Sequence, residues 1–261
     1  IADSDVTSIS IASGILPQKE LVDEQSDYSI TQKYANLQIF STVSGSIENN
    51  ALPANSFYHS NIQRVSLPTL EKVGKSCFYN CTKLNNFTAN NLQEIGINGF
   101  RFCSQLKSLT FPKLTKIGNF GFMGCTLLSS IEIPLVESVG SNAFQNAYLL
   151  FNIKLPKCTS IGTEAFRETG LLTITLSDDL TYLGSGAFWN SSNLHQDLTF
   201  KSLTEFKSKT FQNCALLLSV NAPKVTKVGD SCFYNCTSLN KVDIPSLKSI
   251  GYDSFYNAGI N

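Results

Sequence analysis

Eight cysteines and two histidines are the residues of this 261-residue chain with the most chemistry to offer. Five of the cysteines (Cys81, Cys103, Cys125, Cys214, Cys236) stand three residues after a phenylalanine, in a place that Ala147, Thr169 and Ser191 fill elsewhere. A slot that accepts alanine, serine or threonine asks for a small buried side chain, and free cysteine meets that need without reacting. Cys77/Cys81 and Cys232/Cys236 recur in identical Ser-Cys-Phe-Tyr-Asn-Cys-Thr segments, but those segments lie too far apart along the chain to close a four-ligand zinc site. Reduced thiols are expected, with no metal and no cofactor. His59 and His195 are equally remote from each other, and His195 beside Asp197 reads as a solvated loop pair. No serine or cysteine is set for nucleophilic attack, and no glycine-rich phosphate loop is present. No catalytic residue is assigned, and the chain is not expected to be an enzyme.

Asparagine offers a different chemistry. Four glycosylation sequons start at Asn80, Asn86, Asn190 and Asn235. Three of them begin two residues after a recurrent phenylalanine, a place that asparagine holds in six of ten copies, so turn-forming asparagines produce these sequons as a by-product. Composition excludes other classes. Lysine plus arginine total 20 and aspartate plus glutamate total 20, so the basic surplus of a nucleic-acid binder is missing. Hydrophobic residues make up 42%, enough to bury a core, and no apolar run reaches the length of a transmembrane helix. The chain starts with isoleucine and reads as a mature or trimmed piece.

What positions these residues is a repeat. Phenylalanine recurs at Phe57, Phe78, Phe100, Phe122, Phe144, Phe166, Phe188, Phe211, Phe233 and Phe255, every gap lying within one residue of 22. Four residues earlier stands glycine in eight copies, the exceptions being Pro53 and Lys207. That fixed glycine implies positive φ or a close backbone approach. A large apolar residue precedes it in every copy, as in Val73, Ile117 and Val139, while the residue just before each phenylalanine is small. Large and small slots in register describe an interdigitated, stacked core.

Each unit continues through Leu-x-x-Ile-x-Leu-Pro or a variant of it, as in Leu128 to Pro134. The alternation is that of a strand with one buried face, ended by a proline that lacks an N–H. Outward positions follow directly: Arg64 and Ser66, Asn86 and Thr88, Ser108 and Thr110, Ser130 and Glu132, Asn152 and Lys154, Thr173 and Thr175, Asp197 and Thr199, Ser219 and Asn221, Lys241 and Asp243. They form a small, polar, nearly neutral stripe without the aromatic anchors of tight interfaces. This stripe is the candidate binding face. Aromatic residues gather instead just after the repeat phenylalanine, at Tyr58, Tyr79, Trp189, Tyr234 and Tyr256.

The pattern Cys-x-x-Leu-x-x-Ile-x-Leu-Pro followed by Ile-Gly-x-x-Ala-Phe resembles the leucine-rich repeats of the BspA-like family; Cys125 to Pro134 carries its head and Ile161 to Phe166 its tail. The resemblance spans residues 37–261. It implies an α/β-type repeat solenoid, a curved right-handed stack of about ten 22-residue units. The parallel sheet would line the concave face, with turns and short helical segments on the convex one. It also implies a cell-surface or secreted protein of bacteria or protozoa that adheres to host or neighbouring-cell proteins or glycans.

Residues 1–36 hold six acids (Asp3, Asp5, Glu20, Asp23, Glu24, Asp27) and are expected to be a degenerate capping repeat, with a hinge from Gly45 to Pro53. Asp178-Asp179 in place of a proline, an extra residue before Phe211, and Lys207 in the glycine slot predict a bulge near 195–207. No cap is visible at the C-terminal edge, which would allow end-to-end self-association. A polysaccharide-acting β-helix enzyme is the third reading, but it needs converging acids, and Glu132, Asp197 and Asp243 stand on separate strands.

Overall fold

The structure is a computed structural model and describes residues 6–11, 15–16, 36–42 and 46–260. The chain winds into a parallel-strand solenoid, and the ten phenylalanines mark off nine complete turns of it. One face carries the long strands: Ser8–Ile11, Ile39–Thr42, Arg64–Ser66, Asn86–Thr88, Ser108–Thr110, Ser130–Glu132, Asn152–Leu155, Thr173–Leu176, Asp197–Thr199, Ser219–Asn221 and Lys241–Asp243. Their central residues, such as Val65, Leu109, Ile131 and Ile153, are buried, because the pleat turns alternate side chains inward. The cap expected in residues 1–36 lies mostly outside the described residues, as does Gly45 of the expected hinge.

A second face was not foreseen. Two-residue strands run from Ala51–Leu52 through Lys72–Val73, Glu94–Ile95, Lys116–Ile117, Ser138–Val139 and Ser160–Ile161 to Tyr182–Leu183, all parallel in one seven-stranded sheet. Glu205–Phe206, Lys227–Val228 and Ser249–Ile250 form another. The large apolar residue before each glycine is the inward half of such a strand. The glycine that follows is needed for close approach, not for positive φ. A Cβ on Gly162 would lie 2.4 Å from the Ser141 backbone nitrogen, and one on Gly184 2.3 Å from that of Thr163. Gly162→Ala therefore forces two coils apart, and we expect a loss of about 2–3 kcal/mol or more, read as a lower urea midpoint.

Among the described residues the third side contains no helix, which corrects the expected helical segments and the α/β description; the turns number about nine where about ten units were expected. Among the described residues the one helical piece is a 3-10 turn at Glu48–Asn50, broken by Asn49 at φ 56°. The reason lies in the hydrogen bonds. Around each phenylalanine from Phe57 to Phe233, alternate amides donate to the next coil: Asn98 to Asn119 at 2.9 Å, Phe100 to Gly121 at 2.8 Å and Phe102 to Met123 at 2.7 Å. Amides already spent between coils cannot close i→i−4 bonds. The residues two before and two after each phenylalanine adopt positive φ instead, as in Asn142 (56°) and Asn146 (62°), so asparagine recurs there.

The core is a spine of phenylalanine rings. From Phe57 to Phe255 every successive pair stacks, with centroids 5.0–5.5 Å apart and ring planes within 14° of parallel. The irregular unit is visible where predicted. The Thr173–Leu176 strand begins seven residues after its phenylalanine and the Asp197–Thr199 strand nine, against eight in the neighbouring coils. No ladder joins those two strands, and none joins Tyr182–Leu183 to Glu205–Phe206. The Gln196 side chain fills in for the missing peptide, accepting from the Ile174 amide at 2.8 Å and donating to the Ile174 carbonyl at 2.9 Å.

Candidate functional site

The long-strand face gathers the sequence-assigned positions. Arg64, Asn86, Ser108, Thr110, Ser130, Glu132, Asn152, Lys154, Thr173, Thr175, Lys241 and Asp243 are exposed, and Ser66 and Thr88 are half-buried. Parallel register aligns them from coil to coil: Arg64 with Asn86, Ser108 with Ser130, Asn152 with Thr173. Asp197 pairs with Ser219, whose hydroxyl donates to the Asp197 carboxylate.

The stripe is not one continuous sheet. Ladders stop between Asn86–Thr88 and Ser108–Thr110, between Ser130–Glu132 and Asn152–Leu155, and between Thr173–Leu176 and Asp197–Thr199. At the middle break a depression of about 400 Å³ opens, lined by Ser130, Glu132, Asn152 and Lys154 with Ile133, Pro134 and Pro156. Sequence reasoning found these residues but not the gap, because nothing in the repeat marks which adjacent strands lose their ladder.

Two other faces carry organised side chains. On the short-strand face, Glu94 bridges Lys72 at 3.0 Å and Lys116 at 3.4 Å. The hydrogen bond from Lys72, with the charge of Lys116 nearby, holds the Glu94 carboxyl below the usual carboxylate range. A smaller hollow of about 200 Å³ lies beside Glu205, Lys207 and Lys227. On the turn face Tyr58 stacks on Tyr79 at 5.1 Å and Tyr234 on Tyr256 at 5.0 Å. Trp189 lies between Arg167 at 4.1 Å and Lys209 at 5.1 Å, so cations occupy its surroundings along the stack.

Three of the sequon asparagines sit in left-handed turns, Asn80 at φ 57°, Asn190 at 60° and Asn235 at 57°. The Asn213 amide donates to Asn190 at 2.8 Å, Asn235 to Asn213 at 3.1 Å and Asn257 to Asn235 at 2.9 Å, an asparagine ladder along the turn face. The Asn80 amide meets His59 Nδ1 at 3.0 Å. Asn86 differs, being exposed on a strand.

All eight cysteines are free and buried. The slot after the phenylalanine does more than stay small. Cys81, Cys103, Cys125, Cys214 and Cys236 each donate their S–H to the phenylalanine carbonyl of the preceding coil, at 2.9–3.2 Å, and Ser191 does the same at 2.6 Å. Burial pushes the Cys158 thiol up to about 11 and the Cys236 thiol to about 12, and raises Cys77, Cys103, Cys125, Cys214 and Cys232 as well. Burial acts the same way on Cys81, but hydrogen bonds from Cys103 and Ser60 outweigh it and hold that thiol low. Thiols kept protonated and shielded from solvent are poor nucleophiles. Among the described residues no three His, Cys, Asp or Glu side chains converge on a point, and no helix is long and apolar enough to cross a membrane.

The family model for BspA type leucine rich repeat regions, in six copies, matches residues 50–158 and 137–261. A leucine-rich cell surface protein from Faecalibacterium prausnitzii is similar at 19% identity over 92% of this chain and 83% of its own, with a TM-score of 0.41. A leucine-rich repeat protein from Eubacterium ventriosum is similar at 15% identity over 100% of this chain and 92% of its own, with a TM-score of 0.44. The leucine-rich repeat protein of T. pallidum is similar at 18% identity over 89% and 82%, with a TM-score of 0.40. No curated protein matches the chain.

Proposed function

Because the chain belongs to the BspA-type leucine-rich repeat family, we propose that it is a non-catalytic binding module of a cell-surface or secreted protein. It acts in adhesion to host or neighbouring-cell proteins or glycans. The observation that carries this reading is the stripe itself: exposed hydroxyl, amide and charged side chains at matched positions of nine consecutive long strands from Arg64–Ser66 to Lys241–Asp243. A parallel stack repeats each contact at the strand spacing of about 4.8 Å, so many weak contacts with an extended partner add together. No strongly apolar patch is needed, and none of the stripe's residues is aromatic.

The expected test result is specific. On an array of matrix proteins and glycans, the purified chain is retained, and the Arg64→Glu, Lys154→Glu, Lys241→Glu variant loses at least about tenfold in affinity. Unchanged retention of the variant would move the working surface to the turn face or the short-strand face.

Assembly is the second reading. Ile250, Tyr252 and Tyr256 are exposed on the last described coil, at 57%, 79% and 59%. They suit the docking of a further coil of the same pattern, from this polypeptide or another.

A further inference from the structure

We propose that the depression between the Ser130–Glu132 and Asn152–Leu155 strands seats one uncharged sugar residue of a polysaccharide, held by Glu132 and Lys154 through neighbouring hydroxyls. The proposal rests on the binding-module reading and narrows its partner to a glycan at a defined place.

Three observations carry it. The first is the missing ladder. Ser108–Thr110 is bonded to Ser130–Glu132, and Asn152–Leu155 to Thr173–Leu176, but the two inner strands are not bonded to each other. No ladder pairs the backbone N–H and C=O groups of those facing edges across the gap, and backbone groups outside a ladder are ready partners for a ligand's hydroxyls.

The second is the charge arrangement. Glu132 and Lys154 occupy equivalent positions on adjacent coils and line one depression, yet they form no ion pair. Elsewhere on the molecule opposite charges one coil apart do close, Lys72 on Glu94 at 3.0 Å and Lys201 on Asp178 at 2.6 Å. A separated carboxylate and ammonium can accept from one hydroxyl and donate to the next, and their charges cancel, so a neutral ligand is favoured over an ionic one. Ser130 and Asn152 add one hydroxyl and one amide at the same site.

The third is shape. About 400 Å³ is at the small end of ligand sites, and the lining pairs these polar groups with Ile133, Pro134 and Pro156. A pyranose presents the same mixture, with hydroxyls at its rim and C–H groups on its face. A protein partner would call for an aromatic or arginine anchor in a deep pocket, and this lining has neither. Phe151 and Tyr148, 42% and 50% exposed just before the Asn152–Leu155 strand, offer apolar contact to the next residue of a glycan chain.

The test uses the whole chain on immobilised mannan, dextran and 1,4-linked galactan, with gelatin and fibronectin as protein surfaces. Retention on at least one polysaccharide is expected, lost when its vicinal diols are cleaved by periodate. Glu132→Ala and Lys154→Ala should each weaken retention about tenfold, since each removes a hydrogen bond to a charged group. Both side chains are exposed, so unchanged thermal unfolding verifies that the variants fold, and Lys116→Ala on the other face should retain full binding. Polysaccharide retention that survives both substitutions overturns the seat. Retention on the protein surfaces alone, lost in the three-site stripe variant, overturns the glycan while sparing the binding module. Retention on neither class of surface defeats both.

Discussion

Raising the pH from 7.5 to 9.5 under reducing conditions will unfold this protein or bring it close to unfolding. Seven buried thiols have folded-state values raised by burial, while in the unfolded chain they titrate near 8.5. Above that pH the unfolded state releases protons that the folded state keeps, so stability falls as pH rises. The loss continues until the folded thiols themselves ionise, near 11 for Cys158 and 12 for Cys236. At pH 9.5 each of the seven raised thiols removes about 1.4 kcal/mol, together on the order of 10 kcal/mol, and Cys81, whose thiol is held low, works in the opposite direction and trims that loss; the net remains comparable with the whole stability of an ordinary domain. Urea midpoints at the two pH values measure the effect. Replacing Cys103 and Cys125 with alanine should flatten the pH slope, even though it sacrifices two S–H bonds to Phe78 and Phe100. A midpoint that does not move between pH 7.5 and 9.5 would mean that these thiols are not held protonated by the fold.

Removing one ring from the spine is the second large effect. Phe144 is fully buried and stacks at 5.4 Å on both Phe122 and Phe166. Phe144→Ala deletes the ring and leaves a cavity that the neighbouring coils, tied by backbone bonds on the short-strand and turn sides, cannot close. We expect a loss of about 3–5 kcal/mol. Phe255→Ala at the last described coil should cost less, because that ring is only partly buried and stacks on one described neighbour, Phe233. Equal losses at the two positions would show that the rings contribute as separate apolar groups and not as a stack. Denaturant unfolding of the two variants decides it.

These two effects also show what the sequence made legible. The phenylalanine column and the strand triplets could be read because large side chains at a fixed period have one physical explanation, a stacked core. Arg64–Ser66, Ser130–Glu132 and Lys241–Asp243 fall where alternation placed them. The short strands escaped notice because two residues, such as Lys72–Val73, are too few for alternation to show. The short helical segments came with the family resemblance, since asparagine and glycine in the sequence signal only that the chain bends. What decides between helix and turn is the partner of each amide, and here the partner lies 20 to 22 residues away. The left-handed residues before the phenylalanine were hidden for the same reason. Phe120 and Glu164 adopt φ of 59° and 54°, values their side chains disfavour, because the inter-coil bonds impose them.

The candidate site was half legible. Its residue types follow from the outward positions of each strand, whereas the depression at Glu132 and Lys154 depends on a ladder break between two regular coils. The cysteine slot was read as merely small. Its S–H donation to a carbonyl one coil away explains why cysteine recurs there and why Ser191 can take its place, while Thr169 turns its hydroxyl to the Phe166 carbonyl of its own coil.

The central claim, that the long-strand stripe is the working surface, can be tested with the protein's own thiol chemistry. The native cysteines are buried, so an added surface cysteine is the reactive one. Thr110→Cys lies on the stripe, Lys116→Cys on the short-strand face of the same coil, and Tyr58→Cys on the turn face. Each is capped with a bulky maleimide-linked polymer, and retention on the array of matrix proteins and glycans is measured. The account predicts that the polymer at position 110 abolishes retention while those at 116 and 58 leave it intact. Retention that survives the label at 110 but is lost with either of the others would contradict it.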